Sequence, residues 1–261
     1  MNNKMRSEKV ILVTIDGLRP DAFLTCGHPM VDYVRKNASY TVNGSSVLPP
    51  VTLPAHLSIF YGVPPQRHGT LTNTYVYPVR PIDGLFEHAR HAGKTTAIFY
   101  GWEQMRDVSR PGSMTYAEYV KSKVMESADT YLTDRALVCI QEHEPDFVFL
   151  YLPDVDECGH RDGWMTDAYF NHIRIALDNL KRVLDACGDR YTVVVSADHG
   201  GHERTHGENI PEDMNIPMFF FGEMFEAGKE LQGITLLDIA PTVAKAMGIP
   251  ADPDWEGKSV F

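Results

Sequence analysis

Five stretches of the chain are apolar almost without interruption: VILVTI (10–15), KTTAIFY (94–100), DFVFLYL (146–152), YTVVVS (191–196) and IPMFFFG (216–222). They are rich in β-branched and aromatic residues and show little alternation, which predicts parallel strands covered on both faces of a sheet. Helix-like segments lie between them. The clearest runs over 165–187, where Ile173, Leu177, Leu180 and Leu184 recur at three- and four-residue spacing and Gly188 supplies a stop. Others are expected at 82–92, 117–126, 130–142 and 235–247. Strands alternating with helices over most of the length predict a three-layer α/β/α sandwich around a mostly parallel central sheet. No internal repeat or low-complexity linker breaks the chain. Only 101–127 departs from the rhythm, and it reads as a small insertion beside the site.

In open α/β sheets ligands bind beyond the carboxyl ends of the strands, so the polar residues just after each apolar run matter most. The first run ends in Asp16, within VTIDGLRPD. The run at 146–152 leads into LPDVDECGH, with Asp156 and His160 four apart. The run at 191–196 leads into SADHGGHERTHGE, with Asp198 and His199 adjacent and His206 following. Aspartate and glycine are ordinary turn formers at such places, so each ending alone says little. Together they would gather three carboxylates and three imidazoles at one sheet edge. Carboxylates about 5 Å apart repel by roughly 3 kcal/mol per pair at an effective dielectric near 20. Divalent cations remove that cost, and a mixed Asp/His set without cysteine favours zinc, with manganese or iron as alternatives.

A second element is LPPVTLPAHLSIFYG. Thr52 precedes an apolar helix-like run with Pro54 in its first turn, which places Thr52 near the N-cap. Local sequence favours the capping role. The alternative is chemical: a helix start presents amide groups and positive dipole charge to a phosphate, and a hydroxyl beside a cation becomes a nucleophile.

Composition narrows the class. The chain has 261 residues, 43% of them hydrophobic, which suits one α/β domain with a full core. Its formal charge of −11 argues against binding a nucleic-acid polymer, although bound cations can still receive an anionic substrate. Cys26, Cys139, Cys158 and Cys187 form no C-x-x-C pair and read as reduced thiols. The short apolar N-terminal run and the lack of any stretch approaching ~20 apolar residues predict a cytoplasmic protein without membrane contact.

The set VTIDGLRPD, PPVTLPAH, YGVPPQRHGTLTN, DECGH, SADHGG and THGE resembles the alkaline phosphatase superfamily. Within it the likeness is to the nucleotide pyrophosphatase/phosphodiesterase (type I phosphodiesterase) family, and the blocks come in that family's order. The tail TLLDIAPTVAKAMGIP…GKSV is similar to the superfamily's closing helix and strand. The resemblance implies one alkaline-phosphatase-like catalytic domain over 1–261 and two zinc ions. Asp16, Thr52, Asp198 and His199 would hold one, and Asp156, His160 and His206 the other. It puts Thr52 at the nucleophile position and Asn73 at that of an asparagine that hydrogen-bonds a phosphate oxygen. Tyr151 falls at the position of a tyrosine that packs against a nucleotide base, and Leu53 where the family often has a base-stacking phenylalanine. Val155 stands where a proline usually precedes the metal-binding aspartate. The short His199-to-His206 spacing lacks an insertion carried by larger relatives, so a compact protein with a more open site is expected. Sulfatases share the fold but use a modified Cys or Ser in C/S-x-P-x-R, which TLPAH does not supply.

The expected activity is two-metal hydrolysis of a small phosphorylated substrate, a phosphodiester or pyrophosphate, through a phosphothreonine at Thr52. A phosphomonoesterase or phosphonate hydrolase is the rival, and a metal-loaded binding protein without turnover is a further one. A monoesterase of this superfamily often adds a positive group; Arg19 and Arg67 are near in sequence but are expected to pair with acids. His56 and His68 are expected to hold loops, and His202 is a candidate partner of the ligands.

Overall fold

The computed structural model describes residues 8–261. Seven strands form one sheet: β1 (Val10–Ile15), β2 (Ser39–Ser45), β3 (Thr96–Tyr100), β4 (Tyr116–Tyr119), β5 (Phe147–Leu152), β6 (Thr192–Ser196) and β7 (Asn215–Phe221), in the order β2-β7-β6-β1-β5-β3-β4. The five apolar runs are all strands. β1, β5 and β6 are buried at every residue, as double-sided coverage requires.

Three features differ from the sequence expectation. β7 runs antiparallel to both β6 and β2, so it is not one of the parallel strands. β2 and β4, the two edges, were not anticipated. Each pairs with one strand of the sheet, β2 also making isolated bridges to Glu230 and Thr235, and their burial alternates instead of forming a continuous apolar run. No helix spans 117–126; β4 occupies its first part and a short 3₁₀ turn, Ser122–Val124, follows. The open edge of β3 pairs with Tyr116–Tyr119, and this ladder outweighs the segment's local helical tendency.

Helices Thr52–Tyr61, Leu85–His91 and Ile239–Ala246 pack together in one covering layer. Ala128–His143, Asp154–Asp162 and Asp167–Cys187 pack together in another. Thr166 caps the last of these, its hydroxyl accepting the Tyr169 amide. Every residue of Thr52–Tyr61 is buried. Phe60 anchors this helix, with ring centroids 5.0 Å from Phe86 and 4.9 Å from Phe149 of β5. All four cysteines are free and buried. No described helix is long and apolar enough to cross a membrane.

Register decides where the ends of the strands fall. Ile15 lies opposite Leu152, and Thr14 opposite Ser196, while the Asp16 amide donates to the Leu152 carbonyl at 3.0 Å. Asp16, the start of the Asp154–Asp162 helix and Asp198 therefore leave the sheet at one level. Phe60→Ala should remove roughly 3–5 kcal/mol of stability by emptying this aromatic junction. Urea unfolding checks it; an unchanged midpoint would show that the helix does not depend on this ring.

Candidate metal centre

Asp16 follows β1, and Asp198 and His199 follow β6; all three are at most 1% exposed. Asp156 and His160, at i and i+4, share a face of the Asp154–Asp162 helix, with Asp156 Oδ2 3.5 Å from His160 Nε2. His206 comes from the loop after His199, and its ring stacks on that of His199 at 3.7 Å. Two groups emerge whose donor atoms lie within 4.8 Å of one another: Asp16, Asp198 and His199, and Asp156, His199 and His206. His199 serves both, whereas His160 is in neither and stands at the more exposed rim.

The three imidazoles are oriented alike. Each Nδ1–H donates to a main-chain carbonyl: His160 to Arg204 at 3.0 Å, His199 to Gly200 at 2.8 Å, and His206 to Pro50 at 2.9 Å. Their Nε2 lone pairs are left facing the carboxylates, the tautomer that a metal ligand needs. His199 Nε2 lies 3.3 Å from both Asp16 Oδ1 and Asp198 Oδ2. Acceptor then faces acceptor. Asp16 Oδ1, Asp156 Oδ1 and Asp198 Oδ2 are buried without a hydrogen bond among the described residues, an expensive state for any carboxylate. Divalent cations coordinated by these oxygens and nitrogens would satisfy all of them, so the residues fit the metals that the sequence implies.

Trp164 joins the ligand-bearing segments. Its indole N–H donates to the Gly17 carbonyl at 3.0 Å, and its ring lies against Gly159 and Gly201. An added Cβ would come within 2.6 Å of the ring at Gly159 and 2.2 Å at Gly201, so only glycine fits at either place.

Thr52 is not an N-cap. Val51 holds that position, and Thr52 is the first helical residue. Its Oγ1–H donates to His199 Nε2 at 3.1 Å, which aims the hydroxyl at the carboxylate cluster. The Leu53 amide donates to Asn73 Oδ1 at 3.0 Å, so the amide nitrogen is what Asn73 can offer a ligand. Thr52 and Asn73 line a cavity of about 570 Å³ with Asp16, Asp156, His160 and His206. Leu53 does not face it: its side chain is fully buried. Tyr151 borders the cavity but is only 2% exposed. Its hydroxyl donates to Asp16 Oδ2 and its ring meets His56 edge-on at 5.3 Å, so its ring faces are not open for a base to stack upon. Trp102, Lys123, Glu157 and Arg161 also line the cavity, and sequence reading missed them. Arg161 follows a ligand directly and was within reach of inspection; Lys123 lies in the irregular 101–127 segment, where no periodicity points to it.

The other candidates are structural. Arg19 pairs with Asp21, and Arg67 with Asp254 and Glu256. His56 Nδ1–H donates to the Thr52 carbonyl at 2.8 Å. His68 accepts the Thr70 amide at Nδ1, and burial pushes its pKa down to about 4. His202 reaches no ligand; it pairs at 2.8 Å with buried Asp213, whose other oxygen accepts the amides of Gly207 and Glu208. Asp213 thus holds the loop that carries His206.

Burial, and then the charges of Asp198 and Asp156, push the Asp16 carboxyl well above its ordinary value. Burial likewise raises Asp156. At Asp198 burial works upward but is outweighed by His199, His56 and the Gly17 amide, and the net direction is down. Burial, reinforced by His199, lowers His206 to about 3, which keeps it neutral and able to coordinate.

Two outcomes follow. Because the folded pKa of Asp16 is raised, the native state binds more protons than the unfolded chain above the ordinary aspartate range. The cation-free protein should lose stability as pH rises through that window. Asp16→Asn should flatten this dependence and raise the Tm of the cation-free protein at pH 8 by about 2–4 °C, equivalent to ~1 kcal/mol, while weakening stabilisation by added zinc. A lower Tm for that variant would contradict the repulsion. Asp213→Ala should loosen the His206 loop, read as faster amide exchange at 200–208 with the rest of the chain unchanged; intact protection would deny Asp213 that role.

A family model described as type I phosphodiesterase/nucleotide pyrophosphatase matches residues 10–213. The catalytic subunit of GPI ethanolamine phosphate transferase 2 from Homo sapiens is 25% identical over 275 residues, an alignment covering 97% of this chain and 28% of that protein. Ectonucleotide pyrophosphatase/phosphodiesterase family member 1 from Rattus norvegicus is 22% identical over 223 residues, covering 76% of this chain and 24% of its own length. The chain thus spans about a quarter of these two curated relatives. The solved structure of human ectonucleotide pyrophosphatase/phosphodiesterase 5 superposes with a TM-score of 0.81 at 14% identity, covering 97% of each chain. That likeness shows an alkaline-phosphatase-like fold. The family match runs from β1 to Asp213 and takes in every ligand-bearing segment, and the chain is a member of the type I phosphodiesterase/nucleotide pyrophosphatase family.

Proposed function

We propose that this chain hydrolyses phosphate diesters or pyrophosphates through a phosphothreonine at Thr52. The observation that carries the reading is the Thr52 hydroxyl, hydrogen-bonded to His199 Nε2 at 3.1 Å and opening on a cavity shared with Asp16, Asp156 and Asn73. Divalent cations, zinc by the chemistry of the donor set, would be held by Asp16, Thr52, Asp198 and His199 and by Asp156, His160 and His206; when bound they supply positive charge against the attacking and departing oxygens. Thr52 Oγ1 attacks phosphorus as the leaving oxygen departs on the opposite side. The Asn73 amide nitrogen donates to a non-bridging oxygen of the phosphoryl group. Tyr151 keeps Asp16 in place through its hydroxyl. Water entering the same cavity then cleaves the Oγ1–P bond, freeing Thr52 and releasing the transferred group as a phosphate monoester.

A cavity of about 570 Å³ has room for a small phosphorylated substrate.

Thr52→Ala should retain its metal content, measured by elemental analysis, and lose roughly a thousandfold or more in kcat. The substrates are bis-p-nitrophenyl phosphate and p-nitrophenyl phosphate. The diester reading expects faster wild-type turnover of the first; the reverse order would establish the monoesterase. Undiminished activity in Thr52→Ala would remove the nucleophile assignment. A metal-loaded wild type inert to a broad panel of phosphoesters and phosphonates would make the chain a binding protein.

A further inference from the structure

Lys123 is the middle residue of the Ser122–Val124 turn, which is tied down on two sides. The Ser122 amide donates to the Gly101 carbonyl at 3.0 Å, just past β3, and the Ser122 hydroxyl donates to the Glu157 carboxylate. Ser122 is 4% exposed. The backbone beneath Lys123 is therefore fixed against the helix that carries Asp156 and His160. The Lys123 side chain is exposed and borders the cavity together with Asp156 and Glu157. It makes no ion pair among the described residues. Neighbouring Arg161 is engaged at 2.6 Å by Asp162.

We propose that Lys123 selects phosphoesters whose leaving group bears a further anion, a phosphate or a carboxylate, and binds that anion. This rests on the phosphoester-hydrolase reading above. In-line attack from Thr52 forms the Oγ1–P bond while the bond to the leaving oxygen breaks, and the electron pair departs with that oxygen on the side away from Thr52. In the ligand division proposed above, Asp156, His160 and His206 hold the cation to which Thr52 is not assigned, and the Lys123 turn is tied through Ser122 to Glu157 of the helix bearing the first two. On this proposal the ammonium meets the departing group. The additional charge of a monoester would sit instead on the transferred phosphoryl group, beside Thr52 and Asn73. The Glu157 carboxylate on the same wall is held by the Ser122 hydroxyl and leaves the lysine available. An ammonium meeting an anion in a partly enclosed cavity gives charge-assisted hydrogen bonds worth about tenfold in affinity.

The test compares methyl 4-nitrophenyl phosphate with methyl 3-carboxy-4-nitrophenyl phosphate, which transfer the same group and differ by one carboxylate on the leaving group. ATP, whose leaving group after attack at the α-phosphorus is pyrophosphate, supplies the phosphate arm. Lys123→Ala should lower kcat/KM about tenfold on one or both anionic substrates, with the uncarboxylated diester changing less than about twofold. Lys123→Arg should retain the preference and Lys123→Glu reverse it. A loss confined to ATP assigns a phosphate, a loss confined to the carboxylated diester assigns a carboxylate, and a loss on both assigns a general anion subsite. Calorimetric binding of the same compounds to zinc-loaded Thr52→Ala, with and without Lys123→Ala, reads the contact without turnover. Equal effects on charged and uncharged substrates, or no effect on binding, overturn the proposal. Anion selectivity that persists while Thr52→Ala stays active would instead overturn the nucleophile assignment alone.

Discussion

Three carboxylates, from Asp16, Asp156 and Asp198, are buried at one edge of the sheet, facing the Nε2 atoms of imidazoles whose Nδ1–H groups donate to main-chain carbonyls. Among the described residues, the hydroxyls of Tyr151 and Thr52 and the amides of Gly17 and His199 answer part of that concentration of lone pairs, and one oxygen of each carboxylate is left without a donor. The parallel register of β1, β5 and β6 produces it, because it brings three strand exits to one level. The cavity, the aim of Thr52 and the clamp on the His206 loop are all arranged around this concentration of negative charge. Stability and chemistry are therefore coupled at the same atoms.

Most of the candidate ligands were legible because strand ends are legible. A run such as VILVTI announces a buried strand, and the next polar residue must fall at the sheet edge. The spacing of Asp156 and His160 likewise carries its meaning on the surface, since i and i+4 share a helix face. Leu53 and Tyr151 were harder. A helix turns by about 100° per residue, so the residue beside Thr52 points into the core rather than into the cavity. Tyr151 continues the apolar strand, and only the fold shows its hydroxyl ending on Asp16. Lys123 and Trp102 had no signal at all: they belong to an irregular segment whose place is set by pairing between β3 and β4. The edge strands escaped for a related reason, since exposure on one side dilutes the apolar pattern.

The family likeness and the geometry support one another at different levels. Family membership covers the segments that bear the Asp and His ligands, while the position of Thr52 at the first helical turn explains how its hydroxyl can leave capping duty for His199. Trp102, Lys123, Glu157 and Arg161 complete the wall of the cavity beside the acidic cluster.

Trp164 has a wider effect than its place behind the ligands suggests. One indole touches the turn after Asp16, the helix turn before His160 and the loop between His199 and His206. Those three segments are far apart along the chain, yet they share a single rigid plate as their common stop. None can shift alone without meeting the same ring. Such a keystone makes the two halves of the cluster mechanically one, so that a displacement of any of the three segments is felt by the other two.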